Sequence, residues 1–169
     1  MTTEMSDPRE LFLHELGDVL YAERTLVKTL PTLQGEASDE ELALGFEEHL
    51  DQTRHVKNVE QNFEKLGEKP SAEKWPAIEG IKQEHEDLIA KETPSQDVLD
   101  AFLTGAGART EQYEIAAYED PVTMAEAMGE SEVVKLRTEN LEQEKTALEK
   151  LQTIRKRLAQ EGAKQGTGV

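Results

Sequence analysis

The sequence predicts an all-α protein, a bundle of four long helices in which a long connection joins the second helix to the third. Four segments carry apolar residues at helical spacing, and residues typical of helix caps flank each of them. No useful length of chain alternates apolar and polar residues in the way that strands do. The 169 residues are enough for one domain with a substantial core, and we expect that domain to cover residues 1–160.

The first two helices are predicted to form an antiparallel hairpin. Helix A begins at Pro8, behind an N-cap at Asp7, and ends at Gly35. Helix B covers residues 38–67. Because only a few residues separate the two helices, helix B must turn back along helix A.

The connection between the second and third helices, residues 67–95, is longer than a simple turn requires. Its central part, residues 76–91, has the pattern of a short helix. About 16 residues at ~1.5 Å each span ~24 Å, which is close to the length of a bundle. We therefore expect the chain to cross from one end of the bundle to the other here, as in the ferritin-like topology.

The third and fourth helices form the second predicted hairpin. Helix C runs from about Pro94 to a stop at Gly129 and is expected to pass Pro121 with a kink. Helix D covers residues 131–160. The composition of residues 161–169 predicts a disordered tail.

Composition excludes several classes of function. The absence of cysteine excludes disulfides, thiolate zinc sites and cysteine nucleophiles. A net charge of −17, from 36 acidic and 19 basic residues, argues against nucleic-acid or anionic-membrane partners, and a halophilic source stays open as its cause. No apolar run is long enough for a membrane span and no signal-peptide core precedes helix A, so we expect a cytoplasmic protein.

Two glutamates interrupt apolar stripes near the middle of their helices. Glu23 lies between Val19 and Leu26 in the stripe of helix A, and Glu144 interrupts the stripe of helix D. An unpaired buried carboxylate is costly, so such a residue must be neutralised, hydrogen-bonded or bound to a metal. The alternative is a glutamate at the edge of the stripe whose carboxylate reaches water.

Helices B and C add pairs of polar residues spaced i,i+3, and counting from the predicted turns brings these pairs level with the two glutamates. Di-iron bundle proteins use single glutamates on two helices and Glu-x-x-His on the other two. The candidate metal ligands are therefore Glu23, Gln52, His55, Glu111, Glu114 and Glu144. This ligand chemistry favours Fe or Mn, with one or two ions per chain.

Four positions depart from the di-iron pattern or stay outside it. Gln52 supplies a neutral amide where the pattern has a carboxylate, and Ala147 stands where a histidine of helix D would fall. Both departures predict weak or unequal occupancy. His49 is expected to pack at the interface of helix B, and Tyr118 is expected to belong to the core.

Four segments of the chain carry a resemblance to a known family. They read ELGDVLYAERTLVKTLPTL, EEHLDQTRHVKNVEQNFEKLGEKP, WPAIEGI and YEIAAYED. Together they resemble the YciE/YciF family of ferritin-like stress proteins over about residues 9–155. The resemblance implies a ferritin-like four-helix bundle with an extra crossover helix, a homodimer, and metal-facing side chains at the same six candidate ligands.

The expected function is that of a ferritin-like stress protein with a carboxylate and histidine site for iron or manganese. Such a site could serve Fe(II) oxidation by dioxygen or peroxide, although the sequence does not establish that the protein is an enzyme. The alternative is a non-enzymatic stress or interaction bundle whose metal site is vestigial and whose buried acids are protonated or hydrogen-bonded. The expected partner is a second copy of the chain, with no nucleic acid and no membrane.

Overall fold

The computed structural model describes residues 5–51 and 54–166, which contain helices and no strands. The helices are α1 (Pro8–Glu36), α2 (Glu40–Asp51), α3 (Arg54–Lys65), α4 (Pro76–Lys91), α5 (Gln96–Met128) and α6 (Ser131–Gly166). Helices α2 and α3 both pack against α1 and α6, so together they take the place of the predicted helix B. Helix α5 packs along α6 and against α1. The four-helix bundle with a helical crossover between its second and third members is thereby confirmed.

Local sequence signals explain where several of these helices begin and end. The side chain of Asp7 accepts a hydrogen bond from the Arg9 N–H at 2.9 Å, and Pro8 takes the first helical position of α1. Helix α5 continues through Pro121 and ends at Gly129, whose φ of 77° is left-handed. The predicted continuation past Pro121 is therefore confirmed.

Two predicted boundaries are wrong. Helix α2 begins after Asp39, whose carboxylate accepts from the Leu42 N–H at 3.0 Å, and not at Ser38. Helix α6 continues beyond Gln160 to Gly166, where disorder was expected. Strong helix formers such as Ala163 extend it, and residues 167–169 lie outside the described part of the chain.

The crossover helix α4 is tied to its neighbours mainly by polar contacts. The Tyr21 hydroxyl of α1 donates to Glu79 at 2.9 Å, and His85 lies 2.6 Å from a carboxylate oxygen of Glu36. Ile78 is the buried residue of this helix. Helix α4 therefore covers the bundle without entering its central core.

None of the described helices is long and apolar enough to cross a membrane.

The apolar core consists of two clusters, one toward each end of the bundle. One contains Phe12, Leu16, Val59, Phe63 and Val133, and the other contains Leu30, Leu42, Phe46, Leu103 and Ile154. On each long helix the stripe of buried apolar residues is interrupted between the two clusters. The interruptions on the different helices lie side by side and form a polar layer across the middle of the bundle.

A candidate metal centre in the polar layer

Six acidic and histidine side chains project from all sides of the bundle into the polar layer. They are Glu23 of α1, His49 of α2, His55 of α3, Glu111 and Glu114 of α5, and Glu144 of α6. All are buried or nearly so, and Glu114 and Glu144 are respectively 1% and 0% exposed. The helical spacing that buries the neighbouring leucines also buries these groups.

The six side chains form two groups that share one member. In the first group, ligand atoms of Glu23, His55 and Glu144 lie within 4.8 Å of one another. In the second, ligand atoms of His49, Glu111, Glu114 and Glu144 do the same. Because Glu144 belongs to both groups, its carboxylate is placed to bridge two cations.

The first group is organised around the imidazole of His55. Its Nδ1 lies 2.6 Å from Glu144 Oε1 and 3.4 Å from Glu23 Oε1. Its Nε2 is hydrogen-bonded to the side-chain oxygen of Gln143, so Nε2–H donates and Nδ1 faces the carboxylates. An outer hydrogen bond of this kind is how proteins orient a histidine toward a metal.

The second group is more loosely arranged. His49 Nε2 lies 3.9 Å from Glu111 Oε1 and 4.0 Å from Glu144 Oε2. Its ring meets that of His55 edge-on, with 5.9 Å between centroids. These distances exceed those of hydrogen bonds and leave room for a cation between the imidazole and the carboxylates.

Burial and mutual repulsion change the protonation of this site. Burial, followed by the charge of Glu144, raises the pKa of Glu111 and of Glu114 well above the usual range. Burial disfavours the charged form of His55, but the carboxylates of Glu144 and Glu23 outweigh it and raise its pKa to about 11. Burial also opposes ionisation of Glu144, yet hydrogen bonds from His55 and Glu111 lower its pKa. Without metal, Glu144 and His55 therefore form an ion pair, while the raised pKa of Glu111 and of Glu114 favours their protonated forms.

The donor set fits a divalent cation. Neither carboxylate oxygen of Glu114 has a hydrogen-bond partner among the described residues, and the same holds for Nδ1 of His49. Unpaired buried polar atoms of this kind destabilise a fold and call for a ligand. Four carboxylates and two imidazoles, with no thiolate, suit Fe or Mn.

A hydrogen-bonded layer supports Glu23 from outside the cluster. The Tyr118 hydroxyl donates to Glu23, and Asn140 donates to the Tyr118 oxygen at 2.9 Å. Asn140 in turn accepts from Asn58 at 2.7 Å. Burial, then the charge of Glu23, raises the pKa of Tyr118, so its hydroxyl keeps the proton that it donates. Tyr118 is thus more than the core residue that the sequence predicted.

Five of the six candidate ligands from the sequence lie together in this layer, and Gln52 lies outside the described residues. The packing predicted for His49 is confirmed, because its side chain is buried and its ring meets that of His55 edge-on, and its Nε2 also faces the carboxylates of Glu111 and Glu144. Ala147 lines a small cavity with His49 and Glu111, so an imidazole reaches this part of the site from α2 and not from α6. The available signal in the sequence was that His49 lies at the same height in the predicted bundle as Glu23. A single histidine on a helix is a weak signal for a metal site.

A bundle of four helices with a helical crossover, and with carboxylates and imidazoles converging at its centre, defines a protein of the ferritin-like class. Residues 7–164 match the family model described as a domain of unknown function, DUF892. Protein YciF of Escherichia coli (strain K12) is 34% identical over 143 residues, which are 83% of this chain and 86% of that protein. The chain belongs to this family, and the resemblance to YciE/YciF proteins is confirmed.

Solved structures show the same relationship. The structure of the E. coli stress protein YciF matches with a TM-score of 0.86 at 32% identity, covering 92% of this chain and 99% of that one. YcfI of Rhodopseudomonas palustris also matches with a TM-score of 0.86, at 34% identity over 90% of this chain and 98% of that one. A Xanthomonas campestris protein at 20% identity, with a TM-score of 0.72 over 95% of this chain and 99% of that one, shares the fold.

Proposed function

We propose that this protein is a stress-linked, ferritin-like metalloprotein whose polar layer binds two iron or manganese ions and serves Fe(II) oxidation by dioxygen or peroxide. The observation that carries the proposal is the sharing of Glu144 by two ligand groups. The relative YciF is a stress protein of E. coli, which supports the link to stress.

Each side chain has a distinct role in this proposal. Glu23 and His55 would hold one ion, His49, Glu111 and Glu114 would hold the other, and Glu144 could serve both. Two Fe(II) ions would supply two electrons, which with two protons reduce one dioxygen to hydrogen peroxide, or one hydrogen peroxide to two waters. Tyr118 and Gln143 orient Glu23 and His55, and the protons of Glu111 and Glu114 leave when the cations enter.

The direct test is an anaerobic titration of the metal-free protein with Fe(II), and separately with Mn(II). We expect up to two ions per wild-type chain, one for each ligand group, with the unequal affinity that Gln52 and Ala147 predict. Glu144→Gln keeps the volume of the side chain but removes the bridging charge, so it should bind less than one ion. Glu149→Gln, which changes an exposed glutamate on the same helix, is the matched control and should bind as wild type does.

A second measurement separates loss of metal from loss of fold. Binding to the native state alone raises the melting temperature, so Fe(II) or Mn(II) should stabilise the wild type and Glu149→Gln but not Glu144→Gln. Peroxide should then oxidise the bound Fe(II) of the two metal-binding forms only. If the wild type binds neither ion, the proposal is wrong and the non-enzymatic bundle with protonated buried acids replaces it.

A further inference from the structure

A partly open cavity leads from the crossover helix to the candidate metal centre. It has a volume of about 60 Å³, lies among α1, α2, α4 and α5, and ends on His49 and Glu111. Its apolar walls include Leu30, Phe46, Ile78, Ile81, Leu103 and Ala106. Lys82 and His85 of α4 lie at its outer end. The cavity therefore runs from the covered surface of the bundle to the second ligand group.

The exposed lining of this cavity is mostly apolar, although Lys82, His49 and Glu111 also line it. The hydroxyls of Thr25, Thr29 and Thr110 donate to helix carbonyls at 2.8, 3.0 and 3.1 Å, so their hydrogens are already used. His85 is held by Glu36 at 2.6 Å. A hydrated Fe(II) ion would lose water along the apolar walls with few groups to replace it, which is unfavourable.

The size of the cavity restricts the occupant further. A water molecule needs ~10–15 Å³ of such space, whereas the engineered apolar cavity that admits benzene measures ~150 Å³. At about 60 Å³, this cavity admits a diatomic gas but not an organic substrate. Apolar walls, used hydroxyl hydrogens and small volume all favour the same occupant.

We propose that this cavity is the binding and entry site for dioxygen, and that dioxygen reaches the metal centre on the side of His49 and Glu111. The proposal deepens the proposed function and rests on it, because a metal centre gives the gas a destination. It assigns Ile81 and Ala106 the role of keeping the passage open. Neither residue touches the candidate ligands' hydrogen-bond network, so their role is separable from metal binding.

A second cavity provides a competing route and hence a sharp comparison. It measures about 40 Å³, lies between α2 and α6, and is lined by Ala147, His49 and Glu111. Glu48 and Lys150 form an ion pair beside it. Because its lining exposes more polar and less apolar surface than that of the first cavity, we assign dioxygen to the first one.

The cavity itself is tested without metal, by exposing the metal-free protein to xenon under pressure and locating the gas in crystals. Xenon occupies dry apolar cavities, so we expect it beside Leu103 and Ala106 in the wild type. Ala106→Leu adds three carbon atoms inside the cavity and should exclude xenon. Ala101→Leu adds the same atoms on the exposed face of α5 and should leave xenon bound. Absence of xenon from the wild type, or its persistence in Ala106→Leu, would overturn the proposal.

The route is tested by the rate at which dissolved dioxygen oxidises Fe(II) preloaded into each protein. Ala106→Leu should slow this reaction about tenfold, and Ala101→Leu should not. Ile81→Trp, which fills the cavity from α4, is a second variant in case Ala106→Leu folds poorly. If Ala147→Leu slows oxidation and the other fillings do not, dioxygen enters between α2 and α6 and the proposal fails.

Failure of the proposed function gives a different pattern. Anaerobic Fe(II) stoichiometry should be the same in wild type, Ala106→Leu and Ala101→Leu. A wild type that binds xenon but no Fe(II) would refute the metal centre, and with it the destination of dioxygen. A wild type that binds both, with oxidation rates unaffected by Ala106→Leu and Ile81→Trp, would refute the entry route alone.

Discussion

Glu114 shows most plainly that the polar layer is not built for stability. Its carboxyl group is buried, its pKa is raised well above the usual range by burial, and neither oxygen has a hydrogen-bond partner among the described residues. A residue in this state lowers the stability of the metal-free fold. Its presence is explained by the ligand that we propose it binds.

Replacing Glu114 should therefore separate stability from binding. In the presence of a chelator, Glu114→Met should raise the free energy of unfolding in urea by about 1–2 kcal/mol, because an apolar side chain of similar volume replaces an unpaired polar one. The same variant should lose the stabilisation that Fe(II) or Mn(II) gives to the wild type. If Glu114→Met is less stable than the wild type when both are measured with the chelator, Glu114 has a structural role.

Metal binding should also become tighter as the pH rises. Burial raises the pKa of Glu111 and of Glu114 well above the usual range, and the pKa of His55 is raised to about 11, so protons compete with the cations for all three side chains. Each proton released makes the affinity rise about tenfold per pH unit below the pKa of its group. Calorimetric titrations with Mn(II) between pH 6 and 8, in buffers of different ionisation enthalpy, measure the slope and the protons released. A pH-independent affinity would contradict this protonation state.

At the residue scale, the sequence predicted the candidate ligands better than the side chains that hydrogen-bond to them. The apolar stripes predicted Glu23 and Glu144, and i,i+3 spacing predicted Glu111, Glu114 and His55. These signals lie within single helices. The contacts of Tyr118, Asn140 and Gln143 depend on how the helices rotate against one another, which no local pattern records, and they were missed for that reason.

Among the helices, the beginning of α2 depends on contacts with two others. Asp39 caps α2, and its two carboxylate oxygens also accept from Nη2 of Arg157 of α6, at 2.7 and 2.8 Å. The Ser38 and Asp39 N–H groups donate to the buried Asp100 of α5, at 2.9 and 3.0 Å. The helix begins at Glu40 because these distant partners hold the preceding residues. Short-range cap signals could not reveal them.

The pair of Asp39 and Arg157 should make a small, pH-dependent contribution. Arg157→Gln should lower the free energy of unfolding at pH 7 by about 0.5–1 kcal/mol, kept small by the partial exposure of the pair. The hydrogen bond from Arg157 lowers the pKa of Asp39, so this contribution is present above the ordinary pKa of aspartate and is lost as the pH falls through the lowered pKa. Urea denaturation at a series of pH values should show the free energies of unfolding of wild type and variant becoming equal at acidic pH. Arg155→Gln, on an exposed face, should change neither value.

The chain leading into α4 should be sensitive to a single methyl group on α1. A Cβ atom at Gly17 would lie 2.8 Å from the backbone oxygen of Ser71, and backbone at that distance must move. Gly17→Ala should therefore destabilise the fold by about 1–3 kcal/mol. Gly80→Ala, within α4, meets nothing within 4 Å and should stabilise by about 0.5–1 kcal/mol. Thermal denaturation of both variants tests this prediction. If the two substitutions change the melting temperature equally, Ser71 does not pack tightly on α1.

At the scale of the whole molecule, we expect a homodimer. Helices α1 and α2 carry more apolar residues than one internal seam requires, and Leu11 and Leu44 on them are exposed. Analytical ultracentrifugation at micromolar concentration should give twice the 19.0 kDa of one chain. A mass of 19.0 kDa would show that these leucines are ordinary surface residues.

The topology was the most predictable property of the molecule. Cap residues and apolar periodicity predicted the positions of the helices, and the length of residues 67–95 predicted the crossover. These signals could be read because each depends on residues that are close together in the sequence. The cavity under α4 could not be foreseen, since it depends on where side chains of α1, α2, α4 and α5 fail to meet.

The division of the core by the polar layer has a consequence for how the protein comes apart. Buried acids whose raised pKa favours the protonated form separate the two apolar clusters, and without a cation the clusters are joined through the long helices α1, α5 and α6 that contribute to both. Backbone amides at the two ends should then exchange with solvent in independent steps. Cations bound to α1, α2, α3, α5 and α6 at once would merge those steps into one. Metal binding would thus decide whether the bundle unfolds as one cooperative unit or as two. Without bound metal, one half of the bundle could then unfold alone and expose its backbone to proteolysis.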